Sequence, residues 1–301
     1  MAAFLARCFG VALTGDAEAE TLFLLQGDGG SGKTTMVEAV ASMLGDYATK
    51  MNFESLCQSK NGRGPGAASP DLIPLRGARL AYASEGDSHA RLDAGKVKEL
   101  TGNEPTTARA LYSAPMTFRP TWKLWLVSNF DPKVDSEDTG VWRRMLKLQF
   151  AVIPPESRDP AVKRVLTADP AARSAVLSWA LAGCLDWQKR RGGRAGLAPP
   201  KAVEDATAAY RVTQDTLAEW WEELTATANI GDTTKDTPKH TIRCNYQKWC
   251  ETNGNHHPVS PQRFAAYLKS KGLTESRSAA SRVWVGIKLE FPPSTGHSDH
   301  Y

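Results

Sequence analysis

The sequence predicts an α/β protein built on a parallel sheet, followed by a helical segment and a small basic C-terminal domain. Three observations lead there. Short apolar runs alternate with helix-like stretches through the first half of the chain, and the first run feeds directly into the pattern G-x-x-x-x-G-K-T. After residue 150 the composition turns to alanine-rich helical stretches. With 301 residues, 41% of them apolar and 23% charged, the chain is long enough for one large core and a smaller one and has ordinary globular composition.

Residues 21–26 (TLFLLQ), 79–84 (RLAYAS) and 123–128 (KLWLVS) are short apolar runs of the kind buried in a parallel sheet. Residues 145–150 (MLKLQF) alternate, which marks an edge strand. Helix-like stretches at 32–44 and 92–101 lie between them, and the first twenty residues are expected to form a helix leading into the first strand. The glycine- and proline-rich stretch 61–70 is a loop or disordered. Residues 159–189 and 200–225 are expected to be helical, split by RRGGRAGLAPP at 190–200. A polar gap at 228–239 marks a domain boundary. The predicted organisation is a core at 1–152, a helical segment at 153–227 completing it, a basic domain at 240–291, and a disordered tail at 292–301 with too little apolar content to pack.

Several classes are excluded at this level. No run approaches the roughly 18–20 apolar residues that span a bilayer, and the N-terminus lacks the basic leader of a secretory signal. The five cysteines (Cys8, Cys57, Cys184, Cys244, Cys250) are scattered, without a C-x-x-C pair or a matched Cys/His set, and His256 and His257 are adjacent. Reduced thiols in a cytoplasmic setting are expected, and structural zinc is not. The net charge of +4 is mild, but residues 235–290 carry ten Lys/Arg against four Asp/Glu, so the remainder sums to −2.

The chemistry concentrates at Gly27, Asp28, Gly29, Gly30, Ser31, Gly32, Lys33, Thr34 and Thr35. Between a strand and a helix, glycines let backbone N–H groups converge on phosphates. The helix N-terminus adds a positive dipole end, Lys33 reaches the β and γ phosphates of ATP, and the Thr34 hydroxyl ligates Mg²⁺. Hydrolysis needs a carboxylate at a neighbouring strand end to polarise water and position the metal, and Glu85 ends the second run. Asn129 ends the third, either as a γ-phosphate contact or as a simple turn former. Arg143 and Arg144 follow, either solvated or stabilising charge in phosphoryl transfer.

The order of these pieces resembles superfamily 3 helicases, specifically the helicase portion of phage and plasmid primase-helicases related to the poxvirus enzyme. The residues that carry it are GDGGSGKTT at 27–35, ARLAYASEGD at 78–87, LDAGKVKELTGNEPTTARALY at 92–112, KLWLVSNFDP at 123–132 and VWRRMLKLQF at 141–150. The middle element is the most discriminating. The resemblance implies a P-loop NTPase core of the AAA+ kind that binds ATP and Mg²⁺, with Lys33 and Thr34 holding them, Glu85 as catalytic carboxylate and metal partner, and Asn129 as sensor. Arg143 or Arg144 would enter the neighbouring subunit's site, in a homo-oligomeric ring, usually a hexamer, moving 3′ to 5′ on single-stranded DNA. Lys96, Lys98, Arg109 and Tyr112 are the candidates for the DNA-contacting hairpin, Lys96 and Lys98 reading equally as an exposed helix face. Tyr112-Ser113-Ala114 departs from relatives whose tip carries lysine or histidine.

The C-terminal part resembles the domain that follows such motors. Two helical patterns and a strand-like stretch at 283–289 suggest a winged helix in which Arg263, Lys269 and Lys271 meet phosphates. Full-length relatives carry a primase domain and a helical region ahead of the motor, where this chain has some twenty residues. A truncated form and a stand-alone gene stay open, as does a primase in cis or in trans. The function expected is ATP-dependent unwinding of forked duplexes during phage or plasmid replication. The alternatives are an origin-melting initiator ATPase and a non-hydrolysing DNA-binding or assembly subunit.

Overall fold

Five parallel strands in the order β2-β3-β6-β1-β7 form the centre of the first of two units, Met1–Gln214, in this computed structural model. The structure describes residues 1–58, 68–84, 90–135, 138–226, 228–231, 236–253, 258–277 and 281–289. The expectations for Glu85, for most of the 61–70 loop, for the His256–His257 pair and for the 292–301 tail lie outside the described residues.

The strands are β1 (Leu22–Gln26), β2 (Ala48–Met51), β3 (Leu80–Ser84), β6 (Lys123–Ser128) and β7 (Met145–Gln149). Two short strands, β4 (Thr106–Ala108) and β5 (Met116–Phe118), pair with each other in an antiparallel hairpin. Along each strand, successive side chains enter opposite layers. Leu22, Leu24, Ala83, Leu124 and Leu126 face one core, and Phe23, Leu25, Leu80, Trp125 and Val127 face the other. Burial on both faces explains why β1 and β6 read as unbroken apolar runs. At the edge, β7 alternates because Lys147, between Leu146 and Leu148, lies 2.6 Å from the Asp131 carboxylate and 4.9 Å from the Tyr210 ring. The opposite edge, β2, has no apolar run in its sequence (ATKM), so sequence patterning passes over it.

Helices α1 (Ala2–Gly10), α2 (Lys33–Leu44), α3 (Ala94–Thr101), α4 (Thr139–Trp142), α5 (Ala161–Ala168), α6 (Pro170–Lys189), α7 (Gly193–Leu197) and α8 (Lys201–Thr213) complete this unit. α1 and α6 cross backbone to backbone. A Cβ on Gly183 would sit 2.1 Å from the Ala6 carbonyl, and one on Gly10 would sit 2.4 Å from the Cys184 nitrogen. The approach brings Phe9 onto Trp125, with rings 3.9 Å apart and 2° from parallel. Buried Arg7 locks the other end, donating to the carbonyls of Leu197 (2.8 Å) and Ala198 (3.1 Å) and pairing with Asp186 at 2.8 Å. No helix among the described residues is long and apolar enough to cross a membrane.

The second unit, Asp215–Tyr301, begins earlier than the polar gap at 228–239 that the sequence marks. The reason is α9 (Thr216–Thr225), whose Leu217, Trp220, Trp221 and Leu224 are buried with residues of this unit rather than completing the first. Around them pack Ile242 and Tyr246 of α10 (Lys239–Thr252) and Phe264 and Leu268 of α11 (Pro261–Ser270). Strands β8 (Asn229–Ile230), β9 (Asp236–Pro238), β10 (Thr274–Arg277), β11 (Arg282–Val285) and β12 (Ile287–Lys288) pair antiparallel, β11 lying between β10 and β9 and β12 against β8.

Two stability predictions follow from this packing. In an open helix Gly→Ala stabilises by about 1 kcal/mol. At Gly183 it is expected to destabilise by about 1–3 kcal/mol through overpacking, lowering the melting temperature by several degrees; a rise would show that the two helices can part at no cost. Lys123 is 2% exposed, and burial pushes its ammonium down to about 8, with Asp16 pulling it up and Arg79 adding to the depression. The unfolded chain holds that proton to near 10.5. Between the two values the unfolded state binds more protons, so stability rises with pH across that window. Lys123→Met is expected to stabilise at pH 7 by about 2 kcal/mol and to flatten that rise, measured by urea unfolding at pH 7 and 9.5.

Candidate functional site

The loop between β1 and α2 is shaped by glycines in conformations other residues avoid. Gly30 and Gly32 have φ of 81° and 83°, and Gly32 caps α2 in the left-handed region. Gly27 has φ 155°, and a Cβ there would lie 2.2 Å from the Phe150 carbonyl oxygen. Asp28, Gly29, Gly30 and Thr34 are exposed, Thr35 is half-buried, and Ser31 is buried with its hydroxyl donating to the Asp28 carbonyl at 2.8 Å.

Lys33, 5% exposed, folds back over this loop. Its ammonium donates to the carbonyl of Gly27, to that of Asp28 at 3.0 Å, to Ser31 Oγ at 2.9 Å and to Asn129 Oδ1 at 3.3 Å. Burial lowers its pKa and Asp28 draws it back up. Asn129 is there because β6 pairs in register with β1, Gln26 opposite Ser128, and Gln26 Nε2 donates to the Asn129 carbonyl at 3.3 Å. On the other side of β6, Ser84 ends β3 opposite Val127, and Glu85 is the next residue in the chain. A buried ammonium ringed by oxygen acceptors, at a helix N-terminus beside an exposed threonine hydroxyl, fits an anionic polyphosphate with its divalent cation.

Arg143 and Arg144 stand at the amino-terminal ends of the strands, opposite the end that carries the loop. β7 runs parallel to β1 with Met145 opposite Leu22, and the Leu22 amide donates to the Arg144 carbonyl at 2.9 Å. Over its four residue steps β1 rises about 13 Å, so the pair lies a full strand length from the chain's own phosphate loop. The two arginines differ. Arg144 is buried, 2.7 Å from the Glu20 carboxylate and donating to the Gly140 carbonyl at 3.0 Å. Arg143 has a side chain 66% exposed, with Glu20 at 3.6 Å.

Of the residues expected to touch DNA, Tyr112 is fully exposed with φ 59° in the turn joining β4 and β5, beside exposed Leu111 and Arg109. Thr107 and Thr117 hydroxyls lie 2.9 Å apart across this hairpin. Lys96 and Lys98 are not on it. They belong to α3, where Lys96 donates to the Cys57 carbonyl at 3.0 Å and Lys98 pairs with Asp138 at 2.8 Å. That corrects their placement as hairpin cations, since helix α3 ends before β4 begins. Burial alone would raise the Asp138 carboxyl, but Lys98 and the Val141 and Gly140 amides outweigh it and hold it below the ordinary value. In the second unit Arg263 is half-buried with Asp215 at 3.6 Å, Lys269 lies 3.3 Å from Glu275, and Lys271 sits 5.2 Å from the Tyr267 ring. Glu275 also holds Lys239 at 2.5 Å, and Lys239 first, then Lys269, keep its carboxyl below its usual value. One cation that motif reading passes over is Arg158, which lies against Gly30.

A family of unknown function (DUF5906) matches residues 25–144, from the end of β1 to the arginine pair. The helicase candidate 022R of Frog virus 3 (isolate Goorha) is 30% identical over 253 residues, covering 77% of this chain and 24% of that protein. The helicase candidate L207/L206 of Acanthamoeba polyphaga mimivirus is 26% identical over 291 residues, covering 92% and 30%. The primase candidate C962R of African swine fever virus (isolate Tick/Malawi/Lil 20-1/1983) is 28% identical over 249 residues, covering 78% and 25%. The chain therefore spans between 24% and 30% of the length of these relatives. Among solved structures, the apo NrS-1 C terminal region (305–718) matches with a TM-score of 0.51 over 94% of this chain and 70% of that one, at 13% identity, a likeness of fold. The sequence relatives agree with the resemblance to superfamily 3 motors of the primase-helicase type that the motifs carry.

The unequal environments of the two arginines give a direct test. Arg144→Ala removes a buried guanidinium and is expected to cost about 1–3 kcal/mol of stability, whereas Arg143→Ala is expected to change it by less than about 0.5 kcal/mol. Thermal melting of both variants decides; equal losses would mean that Arg143 is also part of the packing.

Proposed function

We propose that this chain, similar in sequence to helicase and primase candidates of large DNA viruses, is an ATP-driven DNA helicase motor of superfamily 3 that works as a homo-oligomeric ring in replication. The observation that supports it is the meeting of Lys33 with Asn129. A phosphate-loop ammonium and a strand-end amide, far apart in sequence, share one hydrogen bond at adjoining strand ends. In the parallel sheet that is where a γ-phosphate would be sensed.

In this reading Lys33 exchanges its contacts with the loop oxygens for the β and γ phosphates of ATP, and the Thr34 hydroxyl helps hold Mg²⁺. The metal, when bound, neutralises charge on the transferring phosphoryl group. Glu85 polarises the attacking water, and Asn129 holds it in line or reads the γ-phosphate. Arg143 acts in trans: exposed, and a strand length from its own loop, it reaches a phosphate only in a neighbouring copy. Arg144 is then the cation that anchors the turn, through Glu20. The β4–β5 hairpin offers Tyr112 to stack on a base and Arg109 to meet a phosphate of single-stranded DNA. Within the second unit, α10 and α11 followed by β10 and β11 serve as a winged-helix-like DNA-binding domain in which Lys271 and Lys269 meet backbone phosphates. A primase, in cis or in trans, supplies the start of synthesis at the fork.

The test is DNA-stimulated ATP hydrolysis. Lys33→Ala and Asn129→Ala are each expected to lower kcat/KM about a hundredfold or more, with melting temperatures near that of the parent. Arg143→Ala mixed with Glu85→Gln is expected to regain part of the lost rate, because each pairing restores one intact composite site. No hydrolysis by the parent chain on any DNA would favour the non-hydrolysing assembly subunit, and hydrolysis without unwinding of a forked duplex would favour an origin-melting initiator.

A further inference from the structure

The segment that follows β7 does not leave the phosphate loop but runs along it. The Phe150 amide donates to the Gln26 carbonyl at 2.8 Å, and the Phe150 carbonyl fills the place a side chain on Gly27 would take. The Ile153 amide donates to the Gly30 carbonyl at 3.3 Å, and its side chain lies 3.5 Å from the position of a Cβ on Gly32. Residues 155–157 then make one tight turn, and Arg158 returns to the loop. Its Cζ and both terminal nitrogens lie 2.6–2.9 Å from where a Cβ on Gly30 would be, so the guanidinium occupies that space. Nε is fixed by donating to the Ile153 carbonyl at 2.7 Å. Among the described residues the two terminal nitrogens have no acceptor, although the group is pinned at one end and exposed.

We infer that Arg158 is a second phosphate-binding cation of the same chain, contacting the terminal phosphates of the nucleoside triphosphate that Lys33 holds. The inference rests on the nucleotide reading above and adds to it a residue that acts in cis, at the opposite end of the strands from Arg143. Three features carry it. The guanidinium is held by its Nε, which leaves the planar fork of Nη1 and Nη2, the geometry that grips phosphate oxygens in pairs. It lies on the loop itself, over a glycine whose missing side chain makes the room. And it is the exposed end of a strap bonded to that loop at Gln26 and at Gly30, so it would meet a nucleotide without a domain movement.

The experiment measures binding of fluorescent mant-ATP and mant-ADP to the full chain, as parent, Arg158→Ala, Arg158→Lys and Lys33→Ala. Expected are a loss of about tenfold in ATP affinity for Arg158→Ala, a loss in ADP affinity of no more than about threefold, partial recovery in Arg158→Lys, and an unchanged melting temperature without nucleotide. ATP and ADP weakened equally would assign Arg158 to shaping the loop and overturn the inference. So would ATP affinity equal to that of the parent in Arg158→Ala while Lys33→Ala loses binding, which leaves the nucleotide reading intact. A parent chain that binds neither nucleotide would remove both.

Discussion

The first unit depends on the parallel pairing of β1 with β6 on one side and β7 on the other. Because all three strands run the same way, their carboxyl ends lie together at one end of the sheet and their amino ends at the other. That single constraint sets the glycine loop, Asn129 and the strap after β7 together at one end, and Arg143 and Arg144 together at the other. An arginine that precedes a strand and a loop that follows its neighbour cannot meet within one such sheet. The glycine loop with its buried ammonium and the exposed Arg143 guanidinium are thereby divided between two surfaces of the same molecule.

Much of this was legible in the amino-acid order and some was not, for physical reasons. Strands buried on both faces must be apolar throughout, so β1, β3 and β6 stand out, and a loop that must turn at Gly30 and Gly32 displays its glycines. Edge strand β2 needs to bury little more than Met51 and leaves no pattern. The glycine crossing of α1 and α6 is invisible in sequence, since Gly10 and Gly183 acquire meaning only once two helices touch. The start of the second unit at α9 leaves no local signal either: α9 has the period of any amphipathic helix, and nothing local states which core receives Trp220. Lys96 and Lys98 belong to helix α3, where partners on other elements engage both, and residue type alone does not reveal such partners. Arg158 lies in a proline-bracketed stretch without periodicity, and its value comes entirely from the fold returning it to Gly30.

The second unit stabilises itself differently from the first. In place of a sheet buried on two faces it has a cluster of rings, with Trp220, Tyr246 and Phe264 centred 5.2–5.3 Å from one another. Arg243 lies over two of these rings. Several of the cations read from residues 235–290 are thus held by partners within this unit. Lys239 and Lys269 share Glu275, and Arg263 has Asp215, which leaves Lys271 as the more open of the cations considered for this unit.

The contact between Gly27 and the Phe150 carbonyl limits what position 27 can carry. A backbone atom, rather than a side chain, fills the space beside the loop, so no replacement at position 150 can make room for a bulkier residue at 27. At Gly29, two residues further along the loop, a side chain would meet only open space, so the steric demand for glycine falls on one position and not on its neighbour.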